Sequence, residues 1–129
     1  MSPRSAISTA KTPALELVER FIGAWNAETQ GERRRLLEAS CNQQTRFSSS
    51  AGEHVGVEAQ LDTIAAFHRQ FPKGRCSARV LMEHHGWVLV AWLTEFGDGR
   101  PPLPGIDACV ISPGGRFSQI VSFSPVPPP

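Results

Sequence analysis

The chain has 129 residues, a formal net charge of +1, 40% hydrophobic and 19% charged residues. That length suits one domain around one core. The near-zero charge supplies no field to hold nucleic acid or an anionic membrane, and the apolar content argues for a packed globule over a disordered chain.

Residues 1–12 are rich in Ser, Thr and Ala and read as a flexible leader with no apolar stretch of the secretory kind. Thr12 and Pro13 have the chemistry of an N-cap and first helical position. Leu15, Val18, Phe21, Ile22 and Trp25 then recur at helical spacing, which predicts a first helix ending near residue 27. A second, shorter helix runs to about residue 40, with Leu36 and Leu37 inward and Arg33, Arg34 and Arg35 solvated. Residues 44–50 read as a strand around Phe47, and residues 49–56 as a loop punctuated by Gly52 and Gly56. Val57, Leu61, Ile64, His68 and Phe71 share one face of a third helix, which Pro72 and Gly74 stop.

From here the period changes to two. Strands are expected at residues 75–84, 87–96, 106–112 and 116–124, joined as an antiparallel meander. In the first of these, alternation places Ala78, Val80, Met82 and His84 on one side. Ser112-Pro113-Gly114-Gly115 suits a type II turn. Residues 126–129 form a Pro-rich tail. Helices first and strands later is the α+β pattern: N-terminal helices packed on a curved antiparallel sheet, with a pocket between, over residues 13–125. Val88, Val90, Trp92 and Phe96 line one face of the central strand, and Leu89, Ala91 and Leu93 the other. A sheet apolar on both sides must cover both, so a homodimer through the free sheet face is expected.

Three distant cysteines, Cys41, Cys76 and Cys109, match neither a disulfide framework nor zinc spacing. Reduced, buried thiols in a cytoplasmic protein are the expectation. The longest apolar run, residues 87–93, is too short to span a bilayer. There is no tyrosine, and the only aspartates are Asp62, Asp98 and Asp107, so the set of acids and bases is small. Neither a nucleophile elbow nor a phosphate-binding loop is present.

Asp107 lies among Ile106, Ala108 and Cys109. Such a carboxyl either has a raised pKa and acts as acid or base, or pairs with an arginine such as Arg46 or Arg79. His84 is either a general base on a pocket-facing strand side or a strand-end histidine bonded to backbone. His85 is expected on the opposite face, unable to share a metal with it. His68, on the apolar face of the third helix, is a helper at the site or a satisfied core residue. Glu95 is paired or exposed at its strand end. Trp25, Phe47, Phe67, Trp92 and Phe123 are either an aromatic pocket wall or plain core.

The order of elements and several local strings resemble the nuclear transport factor 2-like superfamily, in particular its SnoaL-like, polyketide-cyclase-like branch, over roughly residues 15–125. The strings are Ala24-Trp25-Asn26, Phe47 with the segment to Gly56, Phe71-Pro72-Lys73-Gly74, His84-His85-Gly86, Trp92, Gly105-Ile106-Asp107, and Gly114-Gly115-Arg116-Phe117. The resemblance implies a cone of helices over a curved sheet with an internal cavity. Its members include ketosteroid isomerases, polyketide cyclases and dehydratases, and others that only bind ligands or proteins. Where relatives often carry an Asp-Pro pair after the first strand, this chain has Ser49 and Ser50, and where an Asp often ends the last strand it has Phe123-Ser124. The isomerase-type tyrosine is absent. The expected function is therefore binding of a small apolar cyclic ligand, with isomerisation, cyclisation or dehydration by proton transfer and no cofactor or metal. The alternative is a non-catalytic binding or dimeric assembly module. Asp107 and His84 are the candidate bases, and Trp25, Phe47, His68, Trp92 and Phe123 the candidate ligand contacts.

Overall fold

A computed structural model describes residues 12–126. The expected leader, apart from Thr12, and the expected tail, apart from Val126, lie outside the described residues. The element order is α1 Pro13–Asn26, α2 Gln30–Ser40, β1 Cys41–Ser49, β2 Gly52–Val55, α3 Val57–Gln70, β3 Arg75–His84, β4 Trp87–Glu95, β5 Leu103–Ile111 and β6 Phe117–Phe123. Helix α1 starts as its sequence predicts: the Thr12 hydroxyl accepts from the Leu15 N–H at 3.1 Å, with Pro13 in the first turn. Thr29 caps α2 in the same way, accepting from the Glu32 N–H at 3.2 Å.

The strands form one curved, open sheet in the order β2-β1-β6-β5-β4-β3, with the helices packed on one face. This is the expected α+β architecture, and β3 to β6 are the expected meander. Two pairings were not foreseen. Residues 52–55 are not loop but strand β2, antiparallel to β1, with Phe47 opposite His54. Strand β1 also runs parallel to β6, with Phe47 opposite Ile120, which places the meander's last strand between β1 and β5. Leu17, Val18, Phe21, Leu37, Leu61 and Ile64 from the helices close over Phe47, Val88, Val90, Cys109, Phe117 and Ile120 from the sheet. The opposite face carries Leu89, Ala91, Leu93, Ile106, Ala108, Val110 and Val121, all half-buried, with Met82, Trp87 and Phe123 exposed.

Three local readings need correcting. Arg33 is buried, not solvated. Its guanidinium donates to the Ala27 carbonyl at 2.9 Å, to Gln30 Oε1 at 2.9 Å and to the Glu28 carbonyl at 3.4 Å. A cation placed on the carbonyls that follow a helix C-terminus is favoured by the helix dipole, and its fork satisfies several acceptors at once. The β5–β6 turn has its left-handed residue at Gly115 (φ 83), not at Gly114. Gly115 N–H donates to the Ser112 carbonyl at 2.9 Å and Ser112 N–H to the Arg116 carbonyl at 2.8 Å, the pattern of a turn closed by a glycine bulge.

The third correction concerns β3. Val80 lies opposite Val90, but Met82 lies opposite Leu89, so the register slips by one at Leu81. A bulge of one residue turns every later side chain to the other face of the sheet. Met82 and His84 therefore join Leu89 and Trp87 on the face away from the helices. His85 has a positive φ (48) in the following turn, so strand alternation does not govern it. Its Nδ1 comes to 3.4 Å from His84 Nδ1, correcting the expectation that the two rings point apart.

Candidate functional site

Between the helices and the concave face of the sheet lies a pocket of about 290 Å³. Six aromatic rings line it: Phe21, Trp25, Phe47, Phe67, Trp92 and Phe96. The polar lining comes from Ser48, Ser49, His54, Gln60, Thr63, Cys76, Thr94, Asp107 and Ser122. No lysine or arginine is among the lining residues.

Asp107 reaches this pocket because of strand register. It sits opposite Val90 on β4 and Ser122 on β6, so it shares their face and not that of Ile106 or Ala108. It is 6% exposed, and its Oδ1 has no hydrogen-bond partner. Neither Arg46 nor Arg79 pairs with it; both are exposed. Burial pushes its pKa from an ordinary 3.8 up to about 6, because the anion loses water. The nearby Ser122 hydroxyl, and then the Trp92 indole, favour the anion and oppose that rise.

Trp92 is held by a missing side chain. Its partner across the β4–β5 pair is Gly105, and a Cβ there would lie 1.9 Å from Trp92 Cζ2. The indole thus lies over bare backbone, two residues along β4 from Val90, in reach of Asp107. The other side of the pocket is fixed by the end of α1. Asn26 bonds both backbone groups of Cys76, donating to its carbonyl at 2.7 Å and accepting from its N–H at 2.8 Å. That clamp ties the start of edge strand β3, and Cys76 with it, to the helix that carries Trp25. At the rim, Arg100 lies over the Phe71 and Phe96 rings at 4.7 and 5.1 Å, steadied by Asp98 at 2.9 Å.

Of the residues singled out from sequence, Trp25, Phe47, Trp92 and Asp107 line the pocket together. Phe67, weighed there as wall or core, lines it too. The other three do not. His84 is exposed at the end of β3, for the register reason above. Phe123 is 58% exposed and lies opposite Ile106, on the face away from the helices, while Ser122 takes the pocket side. His68 donates from Nε2 to the Trp25 carbonyl at 2.6 Å, since a carbonyl can only accept. It binds α3 to the end of α1 and so positions Trp25. Glu95 is exposed.

Sequence reasoning missed His54. It lines the pocket from β2, stacks on Phe47 with 5.1 Å between centroids, and meets Gln60 Oε1 through Nε2 at 2.6 Å. His54 and Gln60, six residues apart, join β2 to the first turn of α3 across Gly56, and no local pattern in the sequence marks the pair. The thiols are poor nucleophiles. Burial pushes Cys41 up to about 12 and raises Cys76 and Cys109 as well, keeping all three protonated and free. No cluster of three metal-ligating side chains occurs among the described residues.

No family model and no curated protein matches the sequence. Solved structures do match it. A proposed isomerase of the SnoaL-like family from Agrobacterium tumefaciens aligns with a TM-score of 0.79 at 23% identity, over 90% of this chain and 100% of that one. A nuclear transport factor 2-like protein of unknown function from an Exiguobacterium species aligns at 0.70 with 13% identity, over 86% and 99%. A proposed SnoaL-like polyketide cyclase from a Jannaschia species aligns at 0.68 with 20% identity, over 92% and 89%. The fold is therefore the cone that these nuclear transport factor 2-like and SnoaL-like structures share, as the sequence resemblance implied. No helix among the described residues is long and apolar enough to cross a membrane.

The buried carboxyl makes stability depend on pH. A carboxyl whose folded pKa is raised stabilises the fold below its unfolded value and loses that contribution as pH rises through its folded value. For Asp107 the window runs from about 4 to about 6. Relative to Asp107→Asn, the native chain should lose about 2 kcal/mol of unfolding free energy between about pH 4 and about pH 7. Urea denaturation of both proteins across that range checks it, and a pH-independent difference contradicts it.

Proposed function

We propose that the chain binds a small, largely apolar ring compound in this pocket and moves a proton on it, with Asp107 as the base that accepts and then returns the proton. The observation that carries the reading is the buried Asp107 carboxyl with an unpartnered Oδ1 in an aromatic pocket whose lining holds no lysine or arginine. A carboxyl poised near neutrality serves as base and then as acid within one turnover. On a ring ketone the steps balance simply. The α C–H bond breaks, its proton goes to Asp107, and the electron pair moves onto the carbonyl oxygen. The O–H of Asp107 then returns the proton to carbon, at the same or a conjugated position. Trp25, Phe47 and Trp92 serve as walls for the flat ring. No cofactor or metal enters these steps. Isomerisation reduces to such transfers, and a neighbour described as an isomerase fits this class.

The second reading is a non-catalytic binding module. It is favoured by Asp107 being the only carboxylate among the lining residues and by the absence of any tyrosine to hold an oxyanion. Deuterium exchange separates the two. With 2-tetralone in heavy water, proton NMR should report loss of the α-proton signal catalysed by the native chain. Asp107→Ala should slow it on the order of 100-fold or more while binding persists. Binding without catalysed exchange leaves the module reading; no binding removes both.

A second copy of the chain is the proposed cover for the outer sheet face. The support is the run of apolar side chains on β4, β5 and β6, ending in Trp87 and Phe123, which are 51% and 58% exposed. That surface, antiparallel across β4, β5 and β6, can meet its own copy about a two-fold axis. The three free thiols suit the reducing cytoplasm. Analytical ultracentrifugation should find a dimer, and Ala91→Glu, at the centre of that face, a folded monomer. A native monomer at micromolar concentration contradicts the proposal.

A further inference from the structure

The mechanism above uses Asp107 and leaves the other polar wall of the pocket without a task. That wall is His54 with Gln60. Gln60 lies on the buried face of α3 with Val57, Leu61 and Ile64 and is only 4% exposed. A glutamine in such a stripe costs free energy unless its amide is used. Its Oε1 is 2.6 Å from His54 Nε2. An amide oxygen only accepts, so Nε2 carries the proton, and Nδ1 of the neutral ring holds the lone pair. No described residue bonds that Nδ1. The ring itself is held flat against Phe47, which in turn stacks on Phe21. Two separate devices thus orient an imidazole that lines a ligand-sized pocket and has one free acceptor.

Sheet topology sets where this acceptor sits relative to Asp107. His54 is opposite Phe47, Phe47 opposite Ile120, and Ile120 opposite Cys109, which shares its face with Asp107 two residues away. Three interstrand spacings separate the two backbones, roughly 14 Å along the curved sheet. Both residues line the same pocket of about 290 Å³, from strands at different places in the sheet.

We infer that His54 is a second recognition pole: its Nδ1 accepts a hydrogen bond from a hydroxyl on the ligand, at the end of the ring system away from the atom on which Asp107 acts. The substrate class is then a hydroxylated bicyclic or polycyclic ketone, not a plain hydrocarbon-like ring and not an anion, for which the lining offers no cation. Gln60 is a positioning residue, acting only through His54. This rests on the proposed reading of the pocket as a proton-transfer site.

The test compares 2-tetralone with 6-hydroxy-2-tetralone by calorimetry on the full chain. In the native protein the hydroxyl should tighten binding about 5- to 30-fold, one hydrogen bond to a half-buried acceptor. His54→Phe keeps the stack on Phe47 and should erase that gain, so that the two ketones bind this variant with equal affinity. Gln60→Leu, which frees the ring to turn, should reduce the gain. If His54→Phe retains the full gain, the inference is wrong while the role of Asp107 stands, because α-proton exchange of 2-tetralone is read separately. If neither ketone binds the native chain, the pocket reading and this inference both fall. A destabilised His54→Phe is replaced by His54→Met, with the same comparison of the two ligands.

Discussion

A carboxylate buried without a cation is the constraint around which this molecule is arranged. Removing an ionised Asp from water costs several kcal/mol unless charge or hydrogen bonds replace the water. Asp107 receives only partial compensation, from Ser122 and Trp92, and one of its oxygens receives none. Such a group would be purged from a core built for stability alone. It is held in place by the centre of a six-stranded sheet, with β4 on one side and β6 on the other. Gly105 lets Trp92 lie where it must, Asn26 ties the edge strand to α1, and His68 fixes the carbonyl of Trp25. These contacts fix the walls of the pocket around the carboxyl.

Much of the fold could be read in the chain because local signals agreed with one another. Thr12-Pro13, the helical period through Trp25, the stop at Pro72 and Gly74, and the change to period two all point the same way. What could not be read depended on long-range pairing or on single-residue irregularities. Strand β2 is four residues containing Gly, Glu and His, with no β-branched run before Val55, and only its partner β1 makes it a strand. The parallel pairing of β1 with β6 joins segments some seventy residues apart and leaves no local trace. Nothing in Val80-Leu81-Met82 announces a bulge, yet that bulge moves His84 to the opposite face.

The site shows the same division. Asp107 stood out because it is one of three aspartates and lies in an apolar strand. Trp25, Phe47 and Trp92 stood out as aromatics that would form either a pocket wall or plain core, and they line the pocket. Phe123 has the wrong parity: Ser122 opposite Asp107 takes the pocket side and turns its neighbour outward. His54 was hidden because a histidine in a presumed loop carries no periodicity to interpret. Solved structures of low identity share the cone, so the cone does not set the chemistry. Asp107 is the sole carboxylate among the residues lining this pocket, and the chain has no tyrosine to supply a phenol.

Everything attributed to the pocket depends on that one acid keeping its proton to nearly neutral pH while sheltered from solvent. Carbon-13 NMR of the aspartate carboxyls, with the Asp107 signal identified by its loss in Asp107→Asn, reads this without a ligand. The account predicts a titration midpoint near 6. A midpoint at or below the ordinary aspartate value of about 4 would mean a hydrated or paired carboxylate, and would contradict it.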